Sequence, residues 1–172
     1  MNPAQLTIYK SLLRNKLRYL ARQIPPAERR RKSRRIVGRL TKTPIFRRAQ
    51  NILTYWALPN EVETKGLITE ALAMKKNIFL PKVNPRNKEL SICGPFPLKQ
   101  RRGAAVEMDL VTVPGLGFDR RGVRLGRGGG SFDRFLAKAV RAAKIGLAFK
   151  EQKVKKIPSG PHDVRMDKVL TD

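Results

Sequence analysis

A three-layer α/β fold, with a mostly parallel sheet covered by helices on both faces, is what the sequence predicts. Three observations predict it. Strand-like runs alternate with helical periodicities along most of the chain. Those runs are apolar along their length rather than at every second residue, as strands buried on both faces must be. Finally, 172 residues with 41% hydrophobic content suffice for one sizeable core, so residues 1–172 are read as a single domain.

Residues 4–22 place Leu6, Tyr9, Leu13, Leu17 and Leu20 at three- and four-residue steps, which predicts an amphipathic helix. Lys10, Arg14 and Arg18 sit four apart on an adjacent face. Pro25-Pro26 ends this helix and starts a second, with Ile36, Val37 and Leu40 inward and the run from Glu28 to Arg35 mostly solvated. Residues 51–58 (NILTYWAL) read as a strand, and 64–74 as a helix with Leu67, Ile68, Ala71 and Leu72 on one side. Residues 77–83 and 89–93 read as strands, and 94–106 as a loop rich in proline and basic residues. A near-continuous apolar strand follows at 109–113, then a helix at 131–143 carrying Phe132, Phe135, Leu136 and Val140, then a strand at 145–149. The arrangement is Rossmann-like. Such sheets bind ligands at the carboxyl ends of their strands, so the loops after Ala57, Val113 and Phe149 should converge on one cleft.

Composition narrows the function. The formal net charge is +25, and residues 1–50 hold 15 Lys and Arg against one acid, Glu28. The excess is densest at the N-terminus but is not confined to a tail. It attracts polyanions such as nucleic acid, anionic lipid, nucleotides or polyglutamylated small molecules. An Arg-rich start also suits a transit peptide, but serine is sparse there, so the segment is read as part of the folded protein. No apolar stretch is long enough to span a bilayer. A lone cysteine, Cys93, excludes an internal disulfide and fits a reducing compartment such as the cytoplasm. Cys93 and His162 could be imagined as nucleophile and base, but the apolar run around the thiol favours a small core residue.

The segment from Val113 to Phe135 (VPGLGFDRRGVRLGRGGGSFDRF) carries the chemistry. A buried strand enters Pro114-Gly115, a second turn follows at Asp119 to Gly122, and then Arg124-Leu-Gly126-Arg127-Gly128-Gly129-Gly130 leads into an apolar helix. Glycines ahead of a helix let backbone N–H groups approach an anion, and the helix N-terminus adds partial positive charge. Arg124 and Arg127 add full charges. The alternative is a tight connection or a hinge. The segment is neither a Walker loop, since no Gly-Lys-Ser/Thr closes it, nor a dinucleotide fingerprint, whose spacing differs.

The stretch DLVTVPGLGFDRRGVRLGRGGGSFDRF resembles the signature of the 5-formyltetrahydrofolate cyclo-ligase (methenyltetrahydrofolate synthetase) family. Lys10-Ser-Leu-Leu-Arg14, Tyr55-Trp56 with Asn60 to Thr64, Leu80-Pro81, Gly146 to Gln152 and Pro161 to Val169 resemble its other blocks in order. The resemblance implies a cyclo-ligase-type fold and an irreversible ring closure that uses ATP and Mg²⁺. ATP would phosphorylate the formyl oxygen of 5-formyltetrahydrofolate, the folate N10 would attack, and phosphate would leave to give the 5,10-methenyl product.

By that resemblance, Lys10 and Arg14 would clamp the ATP phosphates, with Arg124 beside them, and Gly126, Gly128, Gly129 and Gly130 would wrap them. Ser131, Phe132 and Asp133 would complete the ATP site. Arg127 would be catalytic, stabilising charge on the transferring phosphoryl. Asp133 and Asp163 would hold magnesium, with a helix N-terminal acid and a turn residue as their ordinary readings. Glu61 would bind the folate, and Trp56 would stack on the pterin or else belong to the core. Three departures stand out. Ser131-Phe132 replaces two aromatics, commonly tyrosines; the segment from Ser91 to Met108 is short; and the charge exceeds what ring closure needs. They raise an alternative, a divergent member without folate activity that binds nucleic acid through its basic surface.

Overall fold

The computed structural model describes residues 2–96, 101–102 and 107–172. Helix α1 spans Pro3–Gln23, α2 Pro26–Thr41, α3 Pro44–Arg48, α4 Lys65–Ala73 and α5 Ser131–Lys138. The strands are β1 (Asn51–Leu53), β2 (Asn77–Val83), β3 (Leu90–Phe96), β4 (Arg101–Arg102), β5 (Leu110–Pro114), β6 (Gly117–Asp119), β7 (Arg124–Leu125), β8 (Ala143–Leu147), β9 (Lys153–Val154) and β10 (Lys168–Leu170). A seven-stranded sheet has the order β10-β8-β5-β1-β2-β3-β4. The pairings from β10 to β2 are parallel, and those of β3 with β2 and β4 are antiparallel. The expected α/β fold with a mostly parallel sheet is therefore present.

Helices cover both faces. On one face Ile36, Val37 and Leu40 of α2 and Leu67 and Ala71 of α4 pack on Ile52, Ile78, Leu110 and Ile145. On the other, Phe135 and Leu136 of α5 pack with Leu53, Phe79, Val111 and Val113. Fully burying each of these Val, Leu, Ile and Phe side chains stabilises the fold by about 1.5–3 kcal/mol. Proline shapes the helix starts. Pro3 occupies the first turn of α1, where Asn2 Oδ1 accepts from Gln5 N at 2.8 Å and Gln5 Oε1 accepts from Asn2 N at 3.0 Å.

A second sheet, three-stranded in the order β7-β6-β9, was not expected. Its strands are only two or three residues long and carry no readable alternation. Leu17 of α1 packs against it with Leu116, Val123, Leu125 and Ile157, so this small sheet is the platform that seats α1. Asp119 organises it. Its carboxylate is fully buried and accepts from the backbone N–H of Arg121, Val123 and Ile157 at 2.9–3.0 Å, and from the Arg121 guanidinium at 2.9 Å. Burial alone would raise the Asp119 carboxyl, but these donors outweigh it and hold it below the ordinary carboxylate range. Its contribution to stability is therefore present above the ordinary carboxylate value and is lost as pH falls through the depressed one. Asp119→Asn is expected to cost about 2 kcal/mol in urea denaturation at pH 7. The gap from the parent should shrink in acid, and a pH-independent gap would show that the charge is not what matters.

Several boundaries differ from the sequence reading. The strand at 51–58 stops at Leu53, because the chain leaves the sheet to build a loop held by Thr54 N on Phe79 O at 3.0 Å and by Tyr55 Oη on Val62 O at 3.1 Å. The helix at 131–143 ends at Lys138, and Val140, expected inside, is 71% exposed. Strand β8 must begin at Ala143 to pair with Leu110, which leaves no length for a longer helix. Residues 94–96 and 101–102, read as loop, are strand; 97–100 and 103–106 lie outside the described residues. Tyr9, expected inward, is 44% exposed. Within the solvated run of α2, Lys32 and Ser33 are buried. Cys93 is half-buried rather than a core residue, and His162 is exposed.

Candidate active site

The carboxyl ends of β1, β2 and β5 open into a cavity of about 660 Å³, within the range of small-molecule sites. Its lining divides by element. The loop after β1 and the end of β2 supply Tyr55, Trp56, Leu58, Pro81 and Val83 together with Glu61, while α1 and the β7–α5 connection supply the charges. Of the loops expected to converge here, those after β1 and β5 do. The turn just after Phe149 does not line the cavity; the same connection returns to it later, with Asp163. Gln152 instead props the site from behind. Its amide donates to Gly115 O at 2.9 Å and to Leu116 O at 3.3 Å, fixing the turn that forms part of the floor.

Sequence-distant groups meet here. Lys10 and Arg14, one turn apart on α1, both face the cavity. Arg14 Nε donates to Gly126 O at 3.0 Å, tying the helix to the glycine loop. Gly130 caps α5 in the left-handed conformation (φ 65°), and Gly128 lies at φ 111°. Side chains are strained at both, so glycine is what allows this loop to turn its backbone toward the cavity. Gly129, Ser131 and Phe132 complete the rim.

Three ion pairs organise the charges. Lys10 Nζ lies 3.0 Å from Asp163 Oδ2. Arg124 Nη2 lies 2.7 Å from Asp133 Oδ2, and its guanidinium sits 5.6 Å from the centre of the Phe132 ring. Arg127 Nη2 lies 2.9 Å from Glu61 Oε1. Burial pulls the Arg124 guanidinium down from its ordinary value, and the charges of Asp133 and Asp163 oppose that pull. Burial alone would raise the Asp163 carboxyl, but the Gly160 N–H, Lys10 and Arg124 outweigh it and hold it low. Arg124 thus feels both aspartates, with its Nε buried and without a hydrogen bond. Tyr55 Oη is raised well above its ordinary value by burial and then by Glu61, so it stays a neutral donor. Trp56 is 66% exposed on the rim and is not a core residue. Every residue singled out from the sequence as a site candidate lines this one cavity. The sequence reading gave no site role to Tyr55, Pro81, Val83 or Gln152.

A model of the 5-formyltetrahydrofolate cyclo-ligase family matches residues 7–172. The chain belongs to that family. Among cyclo-ligases, it is similar to that of Mycolicibacterium smegmatis, with 32% identity over 186 aligned positions covering 94% of this chain and 93% of the relative. It is 27% identical to the Mus musculus enzyme, covering 92% of this chain and 91% of that one. The NMR structure of Aquifex aeolicus 5,10-methenyltetrahydrofolate synthetase superposes with a TM-score of 0.80 at 30% identity, covering 94% of this chain and 88% of that one. A Mycoplasma pneumoniae 5,10-methenyltetrahydrofolate synthetase shares the fold, with a TM-score of 0.85 at 24% identity, covering 95% of this chain and 98% of that one. Membership of the cyclo-ligase family makes the chain an enzyme, a ligase. Among the described residues, no helix is long and apolar enough to cross a membrane, and no three His, Cys, Asp or Glu side chains gather into a metal cluster.

Proposed function

We propose that the chain closes 5-formyltetrahydrofolate to 5,10-methenyltetrahydrofolate at the expense of ATP, with Mg²⁺. The observation that carries this reading is the single cavity shared by an apolar, aromatic wall and a cationic glycine loop. The wall of Tyr55, Trp56, Leu58, Pro81 and Val83 suits a planar ring system, and Glu61 can accept hydrogen bonds from its polar edge. Lys10, Arg14, Arg124 and Arg127 with the backbone of Gly126 to Gly130 suit a triphosphate.

In this reading the γ-phosphoryl passes from ATP to the formyl oxygen. The folate N10 then bonds to the formyl carbon, loses its proton, and phosphate departs with that oxygen. Such transfers need positioning and charge neutralisation rather than a covalent nucleophile, and among the described residues the cavity offers cations but no triad. Arg127 stabilises the transferring charge, and Arg14 keeps the loop against the phosphates by its bond to Gly126. Magnesium commonly takes one or two carboxylates plus phosphate oxygens. Asp133 and Asp163 are two carboxylates on this cavity, each neutralised by a cation that an incoming phosphate would draw away, so the donor set fits. The ion would supply charge neutralisation and orientation of the phosphate oxygens. A reducing cytoplasm suits the free Cys93, and the exposed arginines of α2 would attract polyanions in a manner that salt should weaken.

The test is direct. Purified protein with ATP, Mg²⁺ and 5-formyltetrahydrofolate should generate the near-ultraviolet absorbance of the methenyl product, and omission of ATP should abolish it. No absorbance rise while ATP still binds would refute the assignment.

A further inference from the structure

Two of the three ion pairs lie wholly among the groups assigned to ATP and magnesium; the third joins the two halves of the cavity. Arg127, on the glycine loop, donates to Glu61 Oε1 at 2.9 Å, from a position 66 residues away in the chain. Glu61 is well placed to hold it. Its other oxygen accepts from Leu58 N at 3.0 Å, and its side chain is 11% exposed against 52% for Arg127. The carboxylate is the fixed member and the guanidinium the movable one.

We propose that the Glu61–Arg127 pair is a latch that couples the two substrates, with Glu61 acting as a positioning residue for Arg127. The proposal rests on the reading above, in which Arg127 serves the phosphoryl group and Glu61 the folate. A phosphate oxygen competes with Glu61 for the Arg127 guanidinium, and an N–H of the folate ring competes with Arg127 for Glu61 Oε1. Folate binding therefore releases Arg127 toward the phosphates, and ATP binding releases Glu61 toward the folate. Binding linkage requires the two effects to be equal. The pairs Lys10–Asp163 and Arg124–Asp133 cannot do this, because both members of each are assigned to the same nucleotide and its metal. A half-exposed ion pair such as this one sets a modest coupling, about three- to fivefold.

Calorimetric titration of the full chain with Mg²⁺ and a non-hydrolysable ATP analogue, with and without saturating 5-formyltetrahydrofolate, tests the latch. The analogue should bind about three- to fivefold tighter when the folate is present. Glu61→Gln should give the same gain without folate, whereas loss of a merely structural contact would weaken binding. In the Arg127→Gln background, Glu61→Gln should change nothing, since there is no guanidinium left to release. Independent binding of the two ligands to the parent protein overturns the latch and leaves the assigned function standing. So does a gain from Glu61→Gln that persists without Arg127, which would reflect only the removal of a negative charge. Failure of the parent protein to bind either ligand overturns the function and the latch with it.

Discussion

Arg127→Ala should lower turnover about 10³-fold while leaving thermal stability almost unchanged. The size comes from the proposed role. A guanidinium that meets the charge developing on a transferring phosphoryl acts mainly in the transition state, so its loss falls on kcat. The small cost to stability comes from the structure, where Arg127 is half-exposed and its partner Glu61 keeps a second hydrogen bond to Leu58 N. Exposed pairs of this kind contribute about 0–1 kcal/mol. The folate KM should not rise, because Glu61 is then unopposed. Arg127→Lys should fall between the two, since an ammonium keeps the charge but not the planar fork. The check is steady-state kinetics of methenyl formation beside a melting curve. An alanine variant within about threefold of the parent in kcat would remove Arg127 from the chemistry.

The second large effect concerns stability. Lys32→Met should destabilise the protein by about 3–5 kcal/mol, a substantial share of the 5–15 kcal/mol typical of a domain. Lys32 projects from α2 with its side chain 3% exposed and serves three carboxylates. It is hydrogen-bonded to Glu151, lies 3.4 Å from Asp172, itself 3% exposed, and lies 3.7 Å from Glu28. Methionine fits the space but leaves the buried Asp172 carboxylate without its cation and beside the half-buried Glu151. Burial alone would lower the Lys32 ammonium, but Glu151 and Asp172 outweigh it and hold it above its ordinary value. Its stabilisation is therefore complete at neutral pH and fades as pH rises through that raised value. Burial would raise the Asp172 carboxyl, but the Lys150 N–H and Lys32 hold it low, so its stabilisation fades as pH falls through the depressed value. The gap between parent and variant in urea denaturation should thus form a plateau across neutral pH and close in strong acid. A cost below about 1 kcal/mol at pH 7 would mean that water already reaches the cluster.

The sequence shows most of the sheet and the cavity lining, but little of the support behind them. Strands at 51, 77 and 110 were legible because strands buried on both faces are apolar throughout. The glycine loop was legible because the left-handed positions at Gly128 and Gly130 demand glycine. Lys10, Arg14 and Asp163 were legible only through resemblance, since one lysine among many on a basic helix carries no local mark of its long-range partner. The small sheet around Asp119 was invisible because two-residue strands have no period to read. Lys32 was misplaced for a related reason. A lysine in a run of arginines reads as surface, and only the folded chain brings Glu151 and Asp172 to it. Val140 and Tyr9 failed differently, because tertiary pairing shortened α5 and left one flank of α1 uncovered.

The bond from Arg14 to Gly126 spans 112 residues, and that from Lys10 to Asp163 spans 153. Helix α1 thus finds its seat only after nearly all the strands that follow it have been synthesised. Until then Leu17 and its neighbours have nothing to cover them, and the nascent chain carries an unsheltered greasy stripe. Docking of that helix is a late event of biogenesis, and the proposed nucleotide site is complete only once it has occurred.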